Sequence, residues 1–197
     1  MKIKLTILLL MMSVGYASCV TRLATPTGVP EISVADYESA IAAKTKKVEI
    51  YDGFYNQITV QGTRLDSSLT ESQLSHNARL FQWDLTKYND EKNKAISKHA
   101  SNSEFFISFY TPERKHNDLS KIKTMWKMFL DVDGQRYEGK AVKVRMTLSE
   151  LQVAYPYHNR WSTPYIVTFP VATALTENKP VTVTFTGAIS SSQLKFE

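Results

Sequence analysis

Trp126-Lys127-Met128-Phe129-Leu130-Asp131-Val132-Asp133-Gly134-Gln135-Arg136-Tyr137 is the stretch whose reading decides the fold class. Trp126, Met128 and Leu130 alternate with Lys127, Phe129 and Asp131, the period of two that marks a strand with one buried face. Asp133-Gly134 suits a type I′ turn, which needs positive φ at both central residues and matches the twist of two antiparallel strands. Tyr137–Thr147 is then expected to return as the partner strand, with Val142, Val144 and Met146 set against Lys143, Arg145 and Thr147. Asp131-Val132-Asp133-Gly134 lacks the third acidic position and the closing Glu of a calcium loop, so a turn accounts for it.

Further strands are expected on both sides of this hairpin. Phe105–Thr111 is almost continuously apolar or aromatic, the pattern of a strand covered on both faces. Tyr165-Val167-Phe169 and Val181-Val183-Phe185 alternate with polar residues, and Leu194-Lys195-Phe196 closes the series after a polar turn at Gly187–Ser192. Upstream, Val48, Ile50, Ile58 and Val60 alternate across a break near Asp52-Gly53, giving one bent strand or a hairpin over Lys47–Leu65. Turn signals at this spacing fit a β-sandwich or a partly closed barrel.

Helical periodicity is confined to the N-terminal half. Ser33-Val34-Ala35-Asp36 opens a short helix near Ala35–Lys44 with Tyr37, Ala40 and Ile41 on one face. Thr70-x-x-Gln73 is a capping-box candidate for a helix whose stripe is Leu74, Ala78, Phe81, Leu85 and Tyr88, and Asn89-Asp90 could cap a second, weaker one through Ala100. Leu148–Pro164 reads as an irregular, aromatic-rich loop. The expected fold is mainly β with a few helices: an antiparallel immunoglobulin-like β-sandwich with a helical insertion near residues 70–100.

The first nineteen residues carry the order of an export signal. Lys2 and Lys4 precede the apolar run Leu5–Val14, and Gly15-Tyr16-Ala17-Ser18 leads to Cys19, the one cysteine of the chain. The apolar run is too short to span a bilayer core of roughly 30 Å as a helix. Ala17-Ser18-Cys19 resembles the end of a bacterial lipobox, with Tyr16 where that pattern prefers Leu. The competing cleavage follows Ala17 and leaves a free thiol in an oxidising compartment. Lipidation of Cys19 is the expectation, and Val20 after it suggests delivery to the outer membrane of a Gram-negative cell. The expected organisation is a signal peptide over residues 1–18, a lipidated N-terminus and tether over 19–33, and a single β-rich domain over 34–197.

Three stretches also resemble a group of uncharacterised bacterial envelope lipoproteins. They are Phe105–Arg114 leading through Asn117-Asp118-Leu119 to Trp126, then Tyr155-Pro156-Tyr157 with Trp161, Tyr165 and Phe169-Pro170, and finally Val181–Gly187 with Ser192–Phe196. The match lies mainly over Glu104–Phe196, and more faintly over Tyr37–Leu85. The resemblance implies a location and a fold and transfers no functional residue.

Once Lys2 and Lys4 are removed, 22 basic face 19 acidic residues, alternating in sign along Lys92–Lys98 and Glu113–Lys127. That is a solvated surface and argues against nucleic acid as a partner. His76, His99, His116 and His158 fall in no zinc-binding frame, so neither metal nor cofactor is expected. Ser190-Ser191-Ser192 has no nucleophile-elbow pattern, and Glu113–Asp118 offers no evident carboxylate pair.

The densest cluster of ring and hydrogen-bonding groups is Tyr155-Pro156-Tyr157-His158-Asn159-Arg160-Trp161. Its aromatics are expected to plug the end of the core, Trp161 included, with Arg160 stacked on one of them. The same residues, Tyr155, Tyr157, His158, Asn159, Arg160 and Trp161, form the candidate ligand site, since ring faces stack on sugars while polar groups take the hydroxyls. The expected role is non-enzymatic: an envelope component held to the membrane by its N-terminal lipid, with an envelope protein or a glycan as partner. The alternatives are a carbohydrate- or peptidoglycan-binding module centred on residues 155–161, and a cell-wall hydrolase.

Overall fold

The computed structural model describes residues 24–197. The expected export signal, Cys19 and the start of the tether lie outside the described residues. The fold is mixed α+β, with two antiparallel sheets and helices interspersed. One sheet has five strands in the order β1 (Thr45–Asp52), β2 (Tyr55–Leu65), β3 (Ser103–Tyr110), β7 (Thr163–Phe169) and β6 (Lys140–Lys143). The other has four, in the order β5 (Gln135–Glu138), β4 (Lys127–Val132), β8 (Val181–Thr186) and β9 (Ser191–Phe196). Val60, Ile107 and Val167 from the first sheet and Leu130, Val183 and Leu194 from the second belong to one buried cluster. Each such side chain contributes about 1.5–3 kcal/mol of burial.

The hairpin that opened the sequence reading is present, with φ of 49° at Asp133 and 76° at Gly134, both positive as a type I′ turn demands. Asp131 and Asp133 are engaged by cations of the protein, Arg136 and Lys179. The return strand differs from expectation. It pairs with β4 only as far as Glu138, then crosses to the other sheet, where Lys140–Lys143 pairs with β7. Gly139 is the crossing point: a Cβ there would sit 2.5 Å from a Phe169 ring carbon, so only glycine lets the backbone pass over that ring. The expected strand over Tyr137–Thr147 is thus replaced by two short ones in different sheets, the second ending at Lys143, and Val142 and Met146 of its expected inner face are exposed.

The helices also depart from expectation in their limits. Helix α1 (Val34–Ala43) is capped by Ser33 and buries Tyr37 and Ile41, as read. Helix α2 (Ser67–Leu80) starts at Asp66, whose carboxylate accepts the Leu69 N–H at 2.9 Å, and not at Thr70. The expected continuous stripe breaks at Gln82, which has φ 51°, and Asp84 caps a separate helix α3 (Leu85–His99). Leu74, Ala78 and Tyr88 still pack together, with Trp83 and with Val29 of the expected tether, while Phe81 and Leu85 are exposed. The expected loop at Leu148 is a helix, α4 (Leu148–Ala154), held by a Thr147/Glu150 capping box. A single turn, α5 (Thr173–Thr176), follows β7. Among the described residues no helix is long and apolar enough to cross a membrane.

The helices cover one end of the outer face of the five-stranded sheet. Tyr37, Ile41, Leu69 and Leu151 close over Phe106, so β3 is buried on both faces, as its apolar run implied. Beyond them the outer face of β1, β2 and β3 is left to polar side chains, and the segment after α4 folds along its margin.

Candidate functional site

The open part of that face forms a groove of about 570 Å³. Its floor is set by strand register. Lys47 lies opposite Gln61, which lies opposite Ser108, and one step along Glu49 lies opposite Thr59, which lies opposite Tyr110. Alternation dictates this, because Val48, Ile50, Ile58, Val60, Ile107 and Phe109 turn to the core and leave their neighbours on the outer face. The wall is Tyr157, Asn159, Trp161 and Ser162.

The wall is fixed by contacts beneath it. Tyr155 is 7% exposed and stacks on Phe106, with ring centroids 3.5 Å apart. Gln73 Nε2 donates to the Tyr155 hydroxyl at 3.1 Å, and Tyr37 donates to the Ala154 carbonyl at 2.8 Å, tying α2 and α1 to the end of α4. The Tyr157 hydroxyl is hydrogen-bonded to Thr63 Oγ1 at 2.5 Å, and Thr63 to Thr45 Oγ1 at 2.7 Å. Burial raises the pKa of both tyrosines, so the phenols stay protonated. His158 is buried, lies edge-on to Phe106, and is hydrogen-bonded through Nδ1 to Ser108 Oγ at 2.9 Å. Burial lowers its pKa and favours the neutral ring. The bond to Ser108, with Gln152 Nε2 donating to the His158 carbonyl at 3.3 Å, ties the wall to β3 and to α4.

Asn159 turns the chain outward. Its Oδ1 accepts the backbone N–H of Trp161 at 2.9 Å and of Ser162 at 3.2 Å, an Asx turn that lifts Trp161 onto the rim. Trp161 is 68% exposed. The expectation that it plugs the core is therefore wrong: Tyr155 holds that place on Phe106, and the Asx turn carries the indole away from it. The expected stacking of Arg160 on a neighbouring ring is not found among the described residues; Arg160 is exposed and does not line the groove.

The six sequence candidates thus separate into three layers. Tyr157, Asn159 and Trp161 line the groove, Tyr155 and His158 support it from below, and Arg160 stands outside. The floor residues Lys47, Glu49, Thr59, Gln61, Ser108 and Tyr110 were not singled out from sequence. A signal existed in their alternation with core residues, and in Ser108 as the lone hydroxyl inside Phe105–Tyr110 apart from the terminal tyrosine. Among the described residues, no group of three or more His, Cys, Asp or Glu is placed to hold a metal ion. Set beside family models, curated proteins and solved structures, the chain finds no match in any of the three comparisons.

An open groove with hydroxyl and amide groups on its floor and an indole on its rim is suited to a ligand with many hydroxyls and apolar ring faces.

Proposed function

We propose that this chain is an exported, lipid-anchored envelope protein whose domain binds a glycan in the groove beneath Trp161. The observation that carries the reading is the exposed indole at the rim of a polar groove; a buried Trp161 would have favoured a purely structural loop. Tyr110 and Tyr157 add two further ring surfaces, and Gln61, Thr59 and Asn159 supply donors and acceptors. The N-terminal signal and Cys19 support export and anchoring, and an anchor would raise the effective concentration of the domain at its envelope ligand.

For the architecture we propose an immunoglobulin-like sandwich. With β1 set aside, the five-stranded sheet reads β2-β3-β7-β6 and the other β5-β4-β8-β9. In chain order these are the A-B-E-D and C′-C-F-G arrangements of that fold. Helices α2 and α3 then form an insertion between the first two strands of the sandwich. The fold by itself implies no activity, so the function rests on the groove.

The test pairs binding with stability. Trp161→Ala should abolish or strongly weaken retention on purified peptidoglycan and chitin-type glycan while leaving the thermal melt within about 0.5 kcal/mol of the parent, as for an exposed substitution. If the parent protein is not retained on either material, or if Trp161→Ala is retained equally well, the glycan reading fails.

A further inference from the structure

The charges within the groove cancel one another. Lys47 and Glu49 are the two charged side chains that line it, and they meet each other, Nζ to Oε1, at 2.5 Å. Because they stand two residues apart on β1 they share the outer face, so the pairing follows from strand geometry. The remaining lining groups are hydroxyls, amides and aromatic rings. A carboxylated or sulfated polymer would have to draw Lys47 away from Glu49 and would meet the Glu49 charge as it did so, a like-charge penalty built into the floor.

Beyond Glu49 along β1 the outer surface continues to Tyr51. The second carboxylate oxygen of Glu49 accepts a hydrogen bond from the Tyr51 hydroxyl at 3.5 Å, and Tyr51 is 54% exposed on the same strand. Glu49 therefore joins the lined groove to a further aromatic surface outside it. Two residues along a strand advance it by roughly 7 Å, room for one further sugar ring beyond Glu49.

We infer that the groove takes an internal stretch of an uncharged glycan chain, which leaves past Glu49 and lies over Tyr51; this rests on the glycan reading proposed above. The Lys47–Glu49 pair acts as the specificity element, presenting hydrogen bonds to hydroxyl and acetamido groups while offering no net charge to an acidic polymer.

The experiment titrates the purified protein with two ladders of equal length, chito-oligosaccharides from dimer to hexamer as the uncharged series and oligogalacturonides as the carboxylated one. The parent should bind the uncharged series, about tenfold more tightly at the pentamer than at the dimer if one further ring is stacked, and should not bind oligogalacturonides measurably. Tyr51→Ala should bind the dimer normally and lose the gain with length. Glu49→Gln, which releases Lys47, should acquire binding to oligogalacturonides that weakens as salt is added. Parent binding to the carboxylated series as tight as to the uncharged one, or a Glu49→Gln protein that gains nothing, would overturn the specificity assignment. Uncharged binding that does not tighten with length would overturn the extended site. Failure of the parent to bind either ladder sinks the glycan reading itself.

Discussion

Phe106 and Tyr155 lie face to face, their ring centroids 3.5 Å apart and their planes 5° from parallel. Phe106 belongs to β3 and Tyr155 ends α4, so a single stack joins the five-stranded sheet to the segment that carries the groove wall. Tyr155→Ala should lower the unfolding free energy by about 3–5 kcal/mol, the usual cost of truncating a large buried aromatic. Tyr155→Phe keeps the stack and gives up the bond from Gln73, and should cost about 1 kcal/mol. Urea unfolding of the two variants checks this; equal midpoints would show that the stack does not hold the wall.

A second buried ring should make the protein acid-sensitive. His76 of α2 stacks on Tyr37 of α1 with centroids 4.0 Å apart, and both its ring nitrogens are buried without hydrogen-bond partners. Burial, with the nearby Arg79 charge, lowers its pKa below the ordinary value. The unfolded chain then binds more protons than the folded one as pH falls below about 6.5, so stability should decline on acidification and recover above that value. His76→Phe keeps a ring in the stack and removes the titration. It should be no less stable than the parent at neutral pH and lose less stability between about pH 7 and 5. His158, buried beside Ser108 and also lowered, would supply the residual slope. An unchanged pH profile in thermal melts would refute the role given to His76.

Two glycines should fail for different reasons. Gly134→Val places a β-branched residue at φ 76° in the hairpin turn and should cost about 1–2 kcal/mol in backbone strain. Gly139→Ala drives a methyl group into the Phe169 ring and should cost about 1–3 kcal/mol through overpacking. Combining Gly139→Ala with Phe169→Leu distinguishes the mechanisms, since a smaller partner should recover part of the loss at Gly139 and none at Gly134. Chemical denaturation of the double variants measures that coupling.

The proposed anchor depends on the Cys19 thiol. Expressed in a Gram-negative host, Cys19→Ser should move the protein from the membrane fraction to soluble or uncleaved forms and abolish incorporation of labelled fatty acid. Labelling that survives the substitution would remove lipidation from the proposal.

Period-two alternation carried most of the strand assignments, because a residue that must face the core leaves its mark on every second position. Alternation could not reveal that Gly139 divides Gln135–Lys143 between two sheets, and it misplaced Val142 and Met146, which stay exposed. Helical spacing misled across Gln82, where Leu74, Ala78, Phe81, Leu85 and Tyr88 keep the right intervals although the chain turns between them. The Thr147/Glu150 capping box that starts α4 is legible in sequence, whereas the aromatic residues after it have the composition of a loop. At the site, local sequence located the wall and not the floor. Lys47, Gln61 and Ser108 belong to three strands and become neighbours only through cross-strand register, a relation that pattern along the chain does not encode. The exposure of Trp161 turned on one Asx turn at Asn159, a choice of side-chain hydrogen bond that composition cannot make.

The sheet change at Gly139 also limits the open sheet edge that one copy could offer another. It leaves β5 and β6 as edge strands of four residues each, too short to template a neighbour's backbone, while the longer edges β1 and β9 lie against one another within the same molecule. Copies held side by side by the proposed anchor would experience high local concentration without an inviting open strand between them, so the domain should stay a separate particle at densities where an unguarded sheet would polymerise.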